Sequence, residues 1–133
     1  MMMQPRNASR GFAIIEMLVG ILIISFGLLG LVTLQGRALQ VSVSSEDSQR
    51  AALLANEMAA TMFNLNTVSL NPAMVDTWAK RVADTANGGV PNGTGTVTAV
   101  NATTARVTIT WRAVQSTGAA NDTHTYTTDV VIP

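Results

Sequence analysis

Hydrophobic and polar positions divide the chain into three stretches with different periods. Phe12 to Leu34 is apolar on every face and interrupted only by Glu16 and a few small or hydroxylated residues. An all-round apolar helix of that kind has no face for water and belongs in a core or a lipid bilayer. Val41–Ser48 is polar and Ser-rich, which predicts a soft point or frayed turn. From Gln49 the helical pattern resumes: Ala51, Leu54, Ala55, Met58, Met62 and Leu65 recur at three- and four-residue spacing and form one stripe. Arg50, Glu57 and Asn64 fall outside it. Asn71–Pro72 reads as an N-cap with proline at the first helical position, opening a short helix over 72–86. Its apolar face is Val75, Trp78, Ala79 and Val82, and Gly88–Gly89 is the expected stop. A Gly/Pro/Asn loop, 87–95, separates this half from a run of period two. Strands are expected at about 96–100, 105–113 and 123–132. Val107, Ile109 and Trp111 fall on one face of the second, and Tyr126, Thr128, Val130 and Ile132 on one face of the third. Asn101–Thr104 fits a hairpin turn, and Ser116–Asp122 links the last two strands. A three-stranded meander needs a cover for its apolar face, and the 49–65 helix is the available cover. The predicted class is α+β: a long N-terminal helix, half transmembrane and half amphipathic, packed on a small antiparallel sheet.

Charge sharpens the first stretch. The 133 residues carry eight basic and eight acidic side chains and no cysteine, a formal balance of zero. That balance gives no basic surface for nucleic acid, and the lack of thiols excludes a disulfide framework and any thiolate metal site. Between Arg10 and Arg37 the only charge is Glu16. Met17–Leu34 is uncharged and as a helix spans roughly 27 Å at about 1.5 Å per residue, close to a hydrocarbon core of about 30 Å. The run is longer than the apolar region of a secretory signal and no A-x-A-like site closes it, which favours a retained membrane helix. Arg6 and Arg10 precede it without an acidic neighbour, placing the N-terminus in the cytoplasm and everything after about Gln40 outside.

Few residues offer chemistry. Glu16 is the most unusual, because a carboxylate at bilayer depth costs about 2.5–3.5 kcal/mol on insertion scales. It lies four residues after Phe12. A cut between Gly11 and Phe12 would place a new α-amine one helical turn away, largely cationic at neutral pH with a reference pKa of about 7.7–8.0. Glu16 could then pair with its own amine or with that of a neighbouring helix, or simply reach the headgroups near the helix start. Gly27 and Gly30 suit close helix packing, local unwinding in a filament, or mere tolerance in a membrane helix. Asp122, His124 and Asp129 suggest a metal by residue type, but a lone histidine on a Thr-rich strand is the more ordinary reading and no metal site is assigned. Trp78 and Trp111 read as core or helix–sheet contacts, and Lys80–Arg81 as a solvated helix edge. No G-x-S-x-G, P-loop or H-E-x-x-H occurs, so no enzymatic activity and no cofactor are expected.

Gly11-Phe12-Ala13-Ile14-Ile15-Glu16-Met17-Leu18-Val19 resembles the processing motif of type IV prepilins: a short basic leader, Gly, Phe, three apolar residues, Glu and a long apolar helix. Ser25–Gln35, Gln49–Ala59 and Val107–Arg112 are most similar to PilV-type minor pilins. The resemblance implies a leader, residues 1–11, removed by prepilin peptidase with N-methylation of Phe12. It implies a transmembrane and filament-core helix over 12–44 and an exported α+β headgroup over 45–133. Glu16 would pair with the Phe12 amine of an adjacent subunit. The implied setting is the bacterial inner membrane, as a single-pass precursor, and then a pilus tip. The implied partners are other minor pilins, the major pilin and the inner-membrane assembly machinery, and the implied roles are priming assembly, adhesion and twitching motility. The helix lacks the proline, and the chain the C-terminal cysteine pair, of major pilins. A type II secretion pseudopilin shares the motif, and a single-pass anchor carrying a periplasmic binding domain is the alternative from another class.

Overall fold

A computed structural model describes residues 8–114, 117–119 and 122–133. The chain forms two compact units, one ending at Ser42 and the other comprising Val43–Pro133. The architecture is α+β and pilin-like, with a long N-terminal helix and a small three-stranded antiparallel sheet.

Helix α1 runs unbroken from Ala8 to Leu65. It begins four residues before Phe12, where the apolar pattern had placed its start, and it passes through Val41–Ser48 without the expected soft point. Hydroxylated residues remain helical here because their side chains bond within the helix and leave the backbone ladder alone. Ser48 Oγ donates to the Ser44 carbonyl at 2.9 Å, and Ser25 and Thr33 do the same to Ile21 and Leu29 at 2.7 and 2.9 Å. The same bonds remove two hydroxyls from the lipid-compatible surface of the first unit, where a free polar group would be costly. That unit has no core of its own: Phe12, Ile15, Leu22, Phe26 and Leu29 are all exposed.

In the second unit, Ala51, Leu54, Ala55, Met58 and Met62 are buried as one stripe of α1. Leu65, expected to extend the stripe, is half exposed at 50%. The helix ends there instead. Asn66 takes a left-handed φ of 49°, its N–H bonds the Phe63 carbonyl at 3.1 Å, and Thr67 N–H reaches back to Met62 at 3.2 Å. This is a Schellman stop with Asn at the left-handed position. Helix α2 spans Pro72–Ala83; Asn71 caps it, with its Oδ1 accepting from Ala73 N–H at 2.9 Å. It ends at Ala83, before the expected 86, with Asp84 as its C-cap, and a separate 3₁₀ turn covers Thr85–Asn87. Gly88, at φ 83°, closes that turn.

The sheet is a meander of β1 (Thr94–Ala99), β2 (Thr104–Arg112) and β3 (Thr123–Val131), in that order. β1 starts two residues earlier than the pattern indicated, inside the expected loop, and stops before Val100. The 116–122 link lies partly outside the described residues. Period-two alternation puts Ala105, Val107, Ile109 and Trp111 of β2 into the core, with Val130 and Ile132 from the third strand segment. Together with the α1 stripe, Trp78, Val82 and Val90 they form one cluster. Gly95 sits opposite Ile109 because Trp78 covers it: a Cβ there would come within 2.6 Å of the indole. The indole N–H donates to the Leu54 carbonyl at 3.0 Å, fixing α2 to α1.

Candidate functional site

Gly11, Phe12 and Glu16 all lie in the first turns of α1. Phe12 is 79% exposed and Glu16 is also exposed. Helical geometry puts positions i and i+4 on one face with Cβ atoms about 5–6 Å apart, which places the Phe12 nitrogen and the Glu16 side chain on neighbouring turns. Four ion pairs occur among the described residues, all in the second unit, and Glu16 is in none of them. Gly11 has open space around its Cα, as do Gly20, Gly27, Gly30 and Gly36. No packing inside this chain therefore requires glycine at these positions. One helix, within Gly11–Leu65, is long and apolar enough to cross a membrane among the described residues. Arg6 and residues 1–7 of the leader lie outside the described residues.

The other sequence candidates are taken up by the headgroup. Trp78 and Trp111 are buried, at 6% and 4% exposure. His124 faces Trp111 across the β2–β3 ladder, its ring stacked on the indole at 5.5 Å. Asp129 is clamped by Arg106, which donates from Nε at 2.7 Å and from a terminal nitrogen at 2.9 Å. That bond holds the Asp129 carboxyl below the usual carboxylate range. Asp122 accepts from the Thr117 hydroxyl at 3.0 Å and the Ala119 N–H at 3.2 Å, and these bonds, Thr117 first, lower its pKa. Asp122, His124 and Asp129 are thus engaged separately, and no group of three metal-type donors converges among the described residues. Lys80 does occupy a solvated edge, paired with Asp76 at 2.8 Å. Arg81 does more than that: it bridges to Glu57 and ties α2 to α1. Sequence spacing gave no sign of that pair, because the two residues are brought together only by helix–helix packing.

Residues 6–32 match the family described as Prokaryotic N-terminal methylation motif. The match covers the first turns and apolar half of α1, including Gly11, Phe12 and Glu16, and leaves the headgroup unmatched. Neither a curated protein nor a solved structure matches the chain significantly. The motif supports a type IV pilin-like or pseudopilin protein, and with the apolar helix it supports a membrane anchor. It implies processing by prepilin peptidase and entry into pilus-type machinery, and proteins of this kind are generally structural rather than enzymatic.

Proposed function

We propose that this chain is a minor pilin of a type IV pilus, released from a leader after Gly11, N-methylated on Phe12 and assembled through Glu16. The observation that carries the reading is the methylation-motif match over residues 6–32, with Phe12 and Glu16 one turn apart on α1. Since α1 already begins at Ala8, the scissile bond lies within its first turns and a peptidase must open them. Opening costs little: the first four N–H groups of a helix lack intrahelical partners, and glycine lowers helix stability by roughly 1 kcal/mol relative to alanine. Cleavage then creates a cationic amine at the new helix start. Inside lipid, the Glu16 carboxylate gains from a positive partner far more than it would in water, although desolvation offsets part of the gain. A neighbouring subunit's amine supplies that partner only on assembly, so the charge becomes a condition for entering the filament core. Other minor pilins and the major pilin are the partners in this scheme, and the pilus tip is the destination.

Intact mass of the full chain extracted from membranes of a host with prepilin peptidase tests the reading. Loss of Met1–Gly11 with one added methyl group is expected; a chain retaining its leader overturns it. A secretion pseudopilin would show the same mass, and recovery of the chain in sheared surface pili separates the two.

A further inference from the structure

One cation of the second unit stands apart. Arg50 pairs with Glu46, Lys80 with Asp76, Arg81 with Glu57 and Arg106 with Asp129. Arg112 is in none of these pairs, and among the described residues its one side-chain bond is from Nε to the Thr123 hydroxyl at 3.1 Å. It lines an open groove of about 440 Å³ together with Asn92, Thr94, Thr110, Trp111 and Thr123. Among the described residues, no carboxylate lines that groove. Asp122 precedes Thr123 in sequence, but its Oδ2 accepts from Thr117 and Ala119, and it forms no ion pair with Arg112.

Strand register assembles the site. Thr94 pairs with Thr110, and Arg112 with Thr123, which brings three hydroxyls and the guanidinium onto one face. Arg112 N–H donates to the Pro91 carbonyl at 3.1 Å, drawing the preceding loop against the end of β2. The next residue, Asn92, holds a left-handed φ of 50°, which asparagine adopts readily in turns, and lines the same groove. With Nε engaged by Thr123, the two terminal nitrogens of Arg112 remain as a parallel fork, the geometry that accepts a carboxylate through two hydrogen bonds.

We infer that this groove binds a carboxylate-bearing sugar, the acid group on the Arg112 fork and the ring hydroxyls on Thr94, Thr110 and Asn92. An extended polyanion fits less well. The other cation on the same sheet face, Arg106, is three pleats away, about 20 Å along the strand, and is neutralised by Asp129. Binding by a nucleic acid backbone needs several free cations in register. The inference stands whether or not the chain enters a pilus.

The test is NMR titration of the isotopically labelled full chain in detergent micelles. Glucuronic acid is compared with glucose, sodium acetate, sodium sulfate and a short oligothymidylate. Glucuronate should move the amide signals of Thr110, Arg112 and Thr123, with glucose and acetate each at least about tenfold weaker, glucose for want of the charge-assisted bonds to Arg112 and acetate for want of the ring-hydroxyl bonds. Arg112→Gln should abolish the response while the tryptophan near-UV dichroism stays unchanged; Arg112→Lys should retain part of it. Thr110→Val, which keeps shape and removes a hydroxyl, should weaken glucuronate and leave acetate unaffected. Equal affinity for acetate or sulfate, tighter binding of oligothymidylate, or an undiminished glucuronate response in Arg112→Gln would each overturn the assignment.

Discussion

Gly95→Ala is the sharpest test of how the headgroup core is built. Taken alone, replacing a strand glycine with alanine stabilises by roughly 0.5–1 kcal/mol, because the unfolded chain loses freedom. At Gly95 the structure opposes that gain. The added Cβ would lie 2.6 and 2.8 Å from two indole carbons of Trp78 and 3.1 Å from a methyl of Val82. Trp78 cannot swing aside freely, since its N–H is held by the Leu54 carbonyl at 3.0 Å and the side chain is buried. Overpacking a close-fitting core costs about 1–3 kcal/mol, and loss of the indole bond adds roughly 1 kcal/mol. The clash therefore wins, with a net loss of about 2 kcal/mol after the backbone gain is subtracted. For a unit of this size that lowers the melting midpoint by roughly 8–16 °C. Thermal unfolding of the full chain in micelles, followed by indole emission, measures it, because both tryptophans lie in the second unit. A midpoint within about 2 °C of wild type would refute the packing argument. The double variant with Trp78→Phe should lose less than the two single changes combined; strict additivity would show that Trp78 does not transmit the clash.

Three other outcomes are expected. Glu16→Ala should leave membrane insertion intact and reduce recovery in sheared pili; normal amounts there would contradict the assembly role. Arg81→Ala removes an ion pair whose partners are 49% and 45% exposed, so the same melt should show a loss of no more than about 1 kcal/mol. Asp129→Asn should lower stability at neutral pH. The bond from Arg106 depresses the folded pKa of Asp129 below an unfolded value of about 3.9. Its contribution is thus present above that pH and lost as pH falls through the folded value, and the wild-type and variant melts should converge once the pH is below that folded value.

The parts of this molecule that were legible in its sequence are those in which neighbours along the chain are neighbours in space. The Ala51–Met62 stripe and the alternation Val107–Trp111 are set by local period, and both are buried as the pattern indicated. The Gly11–Glu16 motif is linear and is read directly. The continuity of α1 through Val41–Ser48 was not legible, because propensity registers serine as a competitor of the backbone and cannot see a hydroxyl bonded back one turn. The period misplaces Leu65 for a similar reason: it continues along the sequence, but Asn66 turns the chain. The pattern starts β1 late because Gly95 resembles loop punctuation, although it is strand backbone left bare for an indole. Arg112 and its threonines lie on different strands and are joined only by register, which one-dimensional spacing does not contain.

The thioethers at the centre of the headgroup have a chemical consequence. Met62 has no exposure and Met58 has 3%, whereas Met74 is 41% exposed. Oxidation to the sulfoxide turns a soft apolar side chain into a polar one. Peroxide should therefore mark Met74 in the intact protein and reach Met62 only when the fold opens, so that the oxygen left on Met62 keeps a cumulative record of how often the second unit has come apart.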